Sequence, residues 1–199
     1  SRIVALDVAS GRVLGRYSAT EVGDNPTLAG FDAEGRIIVT SGDRIMALVP
    51  GASETVSVVA QDDSAERFDN PLVHAASGAV YVRDVDRLLR FDLETGVGTE
   101  IATDLLPDRF GFTKPGSDWI VLPTRDRVML LDATTGTVAS QVWPPGFGPG
   151  PADIERYSGW VDGDGNTYIV LFEPQQANGT ITLLSTAFPD GLQIAGPAD

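Results

Sequence analysis

A repeat of about forty residues runs through this chain, and it constrains the fold more than any other feature of the sequence. Its clearest mark is an Asp-Arg pair followed by a short and mostly apolar run. The mark occurs at Asp43–Leu48, Asp86–Phe91 and Asp126–Leu131, and a related copy occurs at Ser1–Leu6. A chain with this pattern is expected to build several similar units that pack side by side.

A second mark, an Asp-x-x-x-Gly segment, follows the first in three of the copies. These segments are Asp7–Gly11, Asp92–Gly96 and Asp132–Gly136, and each lies between two β-rich runs. An Asp side chain can accept hydrogen bonds from backbone N–H groups two residues further on, and glycine adopts a positive φ without steric cost. The spacing therefore predicts a tight reversal between two strands. In the remaining copy the segment has drifted to Val49–Ser53.

Two further β-rich runs precede the Asp-Arg mark, so each unit is predicted to contain four short antiparallel strands. No helical periodicity is sustained over the roughly 11 residues that would indicate a helix. Four-stranded units of about 40–45 residues are typical of β-propeller blades. The sequence therefore predicts an all-β fold, a β-propeller of four-stranded antiparallel blades. The added strand pairs are 28–31 with 36–40, 72–75 with 79–82, 110–113 with 119–122, and 159–161 with 167–172, the last unit being completed by 180–184 and 192–194.

The phase of the repeat gives about four and a half blades. Because an open end would expose strand edges and apolar blade faces, we expect residues 1–199 to form one propeller domain or a fragment of a ring of six to eight blades. A complete five-bladed ring with one thin blade is the alternative. The predicted half blade is 1–17, and the predicted full blades are 25–60, 69–103, 108–142 and 156–196.

Two sets of motifs resemble known propeller repeats. The Asp-x-x-Ser/Thr-Gly turn after an alternating strand, as in 132–136, resembles the quinoprotein-type repeat. The segment 161–170, preceded by the Gly-rich segment 146–150, resembles the NHL or six-bladed-propeller repeat. The resemblance covers nearly the whole chain, but these motifs specify turns and strands. It therefore implies a fold rather than an activity.

The charge and the cysteine content exclude several functional classes. There are 28 acidic and 14 basic residues, and a net charge of −14 disfavours binding to a phosphate backbone, so nucleic acid is not an expected partner. The absence of cysteine excludes disulfides, thiolate zinc sites and cysteine nucleophiles. No apolar run reaches the ~20 residues of a transmembrane helix. The start at Ser1 without Met suggests removal of an N-terminal segment, and with the fold resemblance it predicts a periplasmic, secreted or envelope-attached bacterial protein.

Acid-Arg-aromatic triplets recur at the connections between predicted blades. They are Glu66–Phe68, Asp108–Phe110 and Glu155–Tyr157, and these connections belong to the propeller face that usually binds ligands. Repetition favours a structural role, in which an acid–Arg ion pair tethers neighbouring blades and the aromatic ring packs between them. The alternative is that the arginines contact a ligand or partner. Those arginines are Arg67, Arg109 and Arg156.

The connection 141–157 is long, is not repeated, and is rich in proline. Its prolines reduce the entropy cost of ordering, and Trp143 and Phe147 offer rigid apolar contacts. This combination suits a partner-binding loop. The alternative is that Trp143 fills a groove between two blades.

The segment from Asp162 to Asn166 is similar to the start of a calcium loop, with oxygen ligands on alternate residues. Asp162, Asp164 and Asn166 are therefore weak metal candidates. The run after this segment is predicted to be a strand that carries Glu173 away from the turn, so a plain hairpin turn like 32–35 is favoured. No cofactor is predicted, and calcium is the one candidate ion.

His74 is the only histidine, and it lies on a predicted inner strand. A hydrogen-bonded structural role is favoured for this side chain. The alternative is a general base that faces the channel of the propeller.

The preferred function is a non-enzymatic binding module or scaffold that binds a protein or small-molecule partner through its loop face. The alternative is a calcium-type, metal-dependent lactonase or esterase similar to gluconolactonase-type propellers. A quinone-dependent dehydrogenase is disfavoured because no Trp follows the Asp-x-x-x-Gly turns. The candidate metal ligands of the hydrolase would be Glu66, Asp69, Asn70, Asp108 and Glu155.

Overall fold

The computed structural model divides the chain into two compact units, Ser1–Ala102 and Thr103–Asp199. The prediction of a single domain stays a prediction. No helix in the described part of the chain is long and apolar enough to cross a membrane. The structure describes residues 3–51, 55–105, 111–112, 118–124, 127–142, 156–161, 167–173, 180–187 and 193–194.

The first unit contains three antiparallel sheets in which neighbours along the chain are neighbours in the sheet. A two-stranded sheet precedes two four-stranded sheets, with strand orders β1-β2, β3-β4-β5-β6 and β7-β8-β9-β10. A single-turn helix, α1, follows β2. The elements are β1 (Ile3–Leu6), β2 (Val13–Tyr17), α1 (Ala19–Val22), β3 (Thr27–Phe31), β4 (Ile37–Ser41), β5 (Arg44–Val49), β6 (Thr55–Gln61), β7 (Asp69–His74), β8 (Ala79–Asp84), β9 (Arg87–Asp92) and β10 (Gly98–Ala102).

The second unit contains two more four-stranded antiparallel sheets, with orders β11-β12-β13-β14 and β15-β16-β17-β18. The four-stranded sheets predicted from the repeat are therefore present in both units. The strands are β11 (Gly111–Phe112), β12 (Trp119–Pro123), β13 (Arg127–Asp132), β14 (Val138–Val142), β15 (Arg156–Val161), β16 (Thr167–Glu173), β17 (Thr180–Ala187) and β18 (Gln193–Ile194).

The predicted Asp-x-x-x-Gly turns join β1 to β2, β9 to β10 and β13 to β14. Oδ1 of Asp7 and of Asp92 accepts the N–H two residues on, at 2.9 and 3.0 Å, and Asp132 does the same at 2.8 Å. The closing glycines have φ of +68°, +72° and +75°. Hydrogen bonds from Thr95, first its backbone N–H and then its hydroxyl, lower the pKa of Asp92 because they favour the ionised carboxylate. The turn chemistry read from the sequence is confirmed.

The core of the first unit lies between its sheets. All five residues of β4 are buried because the sheet β3–β6 is covered on both faces. Ile38 faces the sheet β7–β10, whereas Ile37 and Val39 face the pair β1–β2. Phe68, in the connection between the two four-stranded sheets, packs against Phe91 with ring centroids 5.2 Å apart. Stacked sheets with apolar residues on both faces are expected for repeated blades.

Candidate functional site

A polar cleft of about 480 Å³ lies on the predicted ligand-binding face of the first unit. Three segments form it: α1 with the connection that follows it, the turn between β4 and β5, and the connection between β6 and β7. Arg67, which the sequence predicted as a site residue, lies on its wall. The lining residues are Ala19, Thr20, Gly23, Asp24, Asn25, Ser41, Gly42, Asp43, Arg44 and Arg67.

The first wall of the cleft is fixed by the local chemistry of α1. Glu21 Oε2 accepts hydrogen bonds from the Ser18 hydroxyl at 2.6 Å and from the Ser18 backbone N–H at 2.7 Å, and these lower the pKa of Glu21. Gly23 then ends the helix with φ +80° and ψ 177°, a conformation that essentially only glycine adopts. A Cβ at Gly23 would lie 2.2 Å from Ser41 Oγ. The chain after α1 is therefore pressed onto the β4–β5 turn.

The second wall is the connection that carries Arg67, and backbone hydrogen bonds hold it to both neighbouring turns. The Phe68 N–H donates to the Gly42 carbonyl at 2.8 Å. The N–H groups of Glu66 and Arg67 donate to Asp84 Oδ1 at 3.0 and 3.3 Å. Asp84 is buried, and it also pairs with the Arg87 guanidinium. These donors offset the cost of burying the carboxylate, so the connection is firmly positioned.

The triplet Glu66–Phe68 differs in part from the prediction. The Phe68 ring does pack between the two sheets. The predicted acid–Arg tether between blades is wrong for Arg67, because its Nε pairs with Asp69 Oδ1 at 2.9 Å, two residues further along the same chain segment. Both of these side chains are well exposed. The neighbouring sheets are instead joined through backbone N–H groups of this connection, which donate to the Gly42 carbonyl of one sheet and to the Asp84 carboxylate of the other.

Two polar side chains of the cleft are available to a ligand. The structure gives neither the Arg44 guanidinium nor the Asn25 amide a hydrogen bond or an ion pair with any residue in its described ranges. Arg44 is half-buried and Asn25 is exposed. Asp43 Oδ2 accepts a hydrogen bond from Gln61 Nε2 at 3.2 Å. The cleft therefore presents a guanidinium and an amide, with carboxylates beside them.

Arg44 was not among the residues that the sequence singled out. It is the second residue of the Asp-Arg mark, and the mark was interpreted only as the start of a strand. One signal was available: Arg44 is the only charged residue in the run from 44 to 49, directly after a turn. A charged side chain at that position is placed at the sheet's end, where the loops meet.

The opposite face of the first unit carries a depression of about 600 Å³ near Asp32, Arg36 and Asp92. Its carboxylates already serve the turns. Asp32 is buried, and its Oδ1 accepts the Arg36 backbone N–H at 2.8 Å while its Oδ2 pairs with Arg36 Nε at 2.5 Å. The predicted plain hairpin at 32–35 is confirmed.

His74 ends β7 at this opposite face and is buried. A hydrogen bond of 2.7 Å joins its Nδ1 to Ser77 Oγ, inside a 3-10 turn over Ala75–Ser77. The predicted hydrogen-bonded role is therefore confirmed.

Three more of the predicted site residues, Asp69, Asn70 and Arg156, lie in the described ranges. Arg156 begins β15. Asp69 lies in β7, and Asn70 has φ +46° within a bulge of that strand. Within the described ranges, no group of three or more His, Asp or Glu side chains could hold a metal ion. The predicted site residues outside the described ranges are Asp108, Arg109, Trp143, Phe147, Glu155, Asp162, Asp164 and Asn166.

Comparison with known proteins identifies the fold. No protein family profile and no curated protein sequence matches the chain. Among solved structures, dihydro-heme d1 dehydrogenase NirN in complex with DHE matches all of this chain and 43% of its own length, with a TM-score of 0.64 and 15% identity. The calcium-binding protein regucalcin from Agrobacterium tumefaciens strain C58 matches 98% of this chain and 65% of its own, with a TM-score of 0.54 and 19% identity.

The N-terminal domain of Nup159 gives a third match, over 85% of this chain and 47% of that one, with a TM-score of 0.52 and 13% identity. The chain thus spans less than two thirds of the length of each of these three proteins. At these identities the likeness concerns the fold alone. The chain has the β-propeller fold that its repeat predicted.

Proposed function

We propose that this protein is a non-enzymatic binding module that engages a partner through the face carrying the polar cleft. The supporting observation is the half-buried Arg44 guanidinium beside the Asn25 amide, neither of which has a polar partner among the described residues. The loops around them are fixed before any ligand arrives. A site that is ordered in advance loses less entropy on binding, so its polar groups favour one ligand geometry.

The side chains of the cleft suit a partner segment that carries a carboxylate. A guanidinium can bind a carboxylate through two parallel hydrogen bonds, and the Asn25 amide can donate another. Arg67 on the second wall already forms an ion pair with Asp69, so Arg44 is the stronger anchor for the carboxylate. Asp43 can accept from a donor beside that carboxylate. We therefore propose an acidic peptide segment as the ligand, with the carboxylate on Arg44.

The test is a titration of the whole chain with two short peptides, one containing glutamate and the other containing glutamine in its place. Binding is monitored by the NMR chemical shifts of the backbone amides. We expect the glutamate peptide to shift the amides of Gly23, Asn25 and Gly42, and to bind more weakly at high salt. Arg44→Gln should abolish the shifts. Arg16→Gln is the matched control, since Arg16 is an exposed arginine on β2 outside the cleft.

Two outcomes would exclude this reading of the cleft. The first is equal binding of the two peptides, because a carboxylate would then play no part. The second is an equal loss of binding in Arg44→Gln and Arg16→Gln, which would indicate attraction by general charge rather than by a site.

The metal-dependent lactonase stays a prediction with its own test. Asp69, one of its predicted ligands, is paired with Arg67, and a cation would have to displace that guanidinium. Calorimetry with calcium alone should give no heat at millimolar concentration if the binding module is correct. Saturable heat that is lost in Asp69→Asn would favour the hydrolase. The predicted periplasmic, secreted or envelope-attached location is part of the proposal and is checked by cell fractionation.

A further inference from the structure

The two four-stranded sheets of the first unit correspond residue by residue at the turns on the face of the polar cleft. Ser41 is opposite Arg44 across the turn between β4 and β5. Asp84 is opposite Arg87 across the turn between β8 and β9. Ser41 therefore corresponds to Asp84, and Arg44 corresponds to Arg87. An arginine follows both turns, but the residue before the turn is an acid in one sheet and a serine in the other.

The connections that lead into these two sheets correspond as well. The innermost strands β3 and β7 pair with the residues that directly precede Ser41 and Asp84. Residues 24–25, ahead of β3, therefore correspond to residues 66–67, ahead of β7. The ladder partners that fix this alignment are Thr27 with Thr40 and Asp69 with Arg83.

In the sheet β7–β10, a single carboxylate joins the connection to the turn. Asp84 is 2% exposed, and its Oδ1 accepts the backbone N–H groups of Glu66 and Arg67 at 3.0 and 3.3 Å. Its Oδ2 pairs with the Arg87 guanidinium. Donors from both sides of the site therefore meet at one buried anion, and they offset the cost of its desolvation.

In the sheet β3–β6, a serine stands where the other sheet has this aspartate. Ser41 is 8% exposed and lines the cleft, and its hydroxyl has no hydrogen bond to any residue that the structure describes. Among the same residues, the Arg44 guanidinium and the backbone N–H of Asn25 have no polar partner either. Serine is shorter than aspartate and carries no charge, so the donors of the site remain while the acceptor is missing. The cleft lies between these groups.

Given the binding function proposed above, we propose that the ligand carboxylate occupies the position in the cleft that the Asp84 carboxylate occupies in the next sheet. It accepts hydrogen bonds from the Arg44 guanidinium, the Ser41 hydroxyl and the Asn25 backbone N–H. A carboxylate accepts at both of its oxygens, whereas a glutamine amide would direct its NH₂ group at one of these donors. Ser41 is then the residue that determines specificity, because an acid at this position would fill the site from within the chain.

The first test supplies the carboxylate from the chain itself. Ser41→Asp should raise the Tm by at least about 2 °C, because the new carboxylate joins the connection to the turn as Asp84 does. The protein has a net charge of −14, so a carboxylate added elsewhere should lower the Tm or leave it unchanged. Ser57→Asp, at an exposed position of β6, is the matched control. Arg44→Gln, added to Ser41→Asp, should cancel the rise.

The second test is binding of the glutamate peptide, monitored by the amide shifts described above. Ser41→Asp should weaken binding at least about tenfold, since its own carboxylate occupies the site, whereas Ser57→Asp should bind within about twofold of the wild type. Ser41→Ala covers the case in which Ser41→Asp does not fold. It removes one donor and leaves the site open, so it should bind at least about threefold more weakly at an unchanged Tm.

The outcomes separate this proposal from the proposed function. An equal Tm for Ser41→Asp and Ser57→Asp, or an unchanged affinity in Ser41→Ala, would overturn the carboxylate position even where the wild type binds the glutamate peptide. A raised Tm in Ser41→Asp that depends on Arg44, with no binding of either peptide to the wild type, would support the carboxylate position and refute the acidic peptide as the ligand.

Discussion

The three closing glycines of the Asp-x-x-x-Gly turns provide an internal experiment, because their local conformations match and their tertiary surroundings differ. Gly11 and Gly96 have φ of +68° and +72°. A Cβ on Gly11 would have nothing within 4 Å, whereas a Cβ on Gly96 would lie 2.6 Å from the backbone carbonyl oxygen of Val59 in β6. Substitution by alanine therefore separates the cost of the turn from the cost of the contact between sheets.

Gly11→Ala and Gly96→Ala should lower the free energy of unfolding by different amounts. Alanine in the left-handed region costs about 1–2 kcal/mol, and that is the whole effect expected for Gly11→Ala. A carbon–oxygen contact normally needs about 3.3 Å, so Gly96→Ala must move the backbone of β6 away by roughly 0.7 Å. Overpacking of this kind adds about 1–3 kcal/mol, which gives a total of about 2–5 kcal/mol for Gly96→Ala.

The assay is urea unfolding of both variants, followed by circular dichroism and analysed with the slope of the wild type. Both glycines belong to the first unit, so both changes act on the same structure. Val59→Ala should not rescue Gly96→Ala, because the obstructing atom belongs to the backbone. Equal losses for Gly11→Ala and Gly96→Ala, within about 0.5 kcal/mol, would refute the close approach of the two sheets.

Three further predictions concern the same unit. Phe68→Ala should lower the free energy of unfolding by about 3–5 kcal/mol because it empties the core between two sheets, while Phe31→Ala, at an exposed site, should have a small effect in the same urea assay. Val85→Gly should raise the free energy of unfolding by up to about 1 kcal/mol, because Val85 has φ +56° in an exposed turn, at the repeat position where Gly42 has φ +60°. A lower urea midpoint would contradict this. The pKa of Asp92 is lowered from its usual 3.8 in the folded state, so the stabilisation from this carboxylate is present above about pH 4 and is lost as the pH falls through the folded pKa. Asp92→Asn should therefore make the free energy of unfolding less dependent on pH in the acid range. An unchanged pH dependence would argue against the turn hydrogen bonds.

The candidate site was only partly readable from the sequence. Arg67 was singled out because its triplet recurs, and it does line the cleft. Its ion-pair partner was not predictable, since Asp69 and Glu66 are both within reach of an exposed arginine in an unfolded chain. Arg44 was overlooked because its sequence position identifies it only as the first residue of a strand. Its place in the cleft depends on how α1 and the connection around Phe68 pack against the β4–β5 turn.

The sequence by itself determined the strands, their antiparallel order within each sheet and the turns at 7–11, 92–96 and 132–136. These features depend on contacts between residues less than about twenty positions apart. In the turns, the Asp carboxylate and the closing glycine act directly on the neighbouring backbone. Tertiary structure alone decided which of the three turn glycines lies against another sheet, as Gly96 does, and which apolar residues of β3 are exposed. Such properties arise between sheets that are distant in sequence, and each sheet edge or face takes its surroundings from whatever packs beside it.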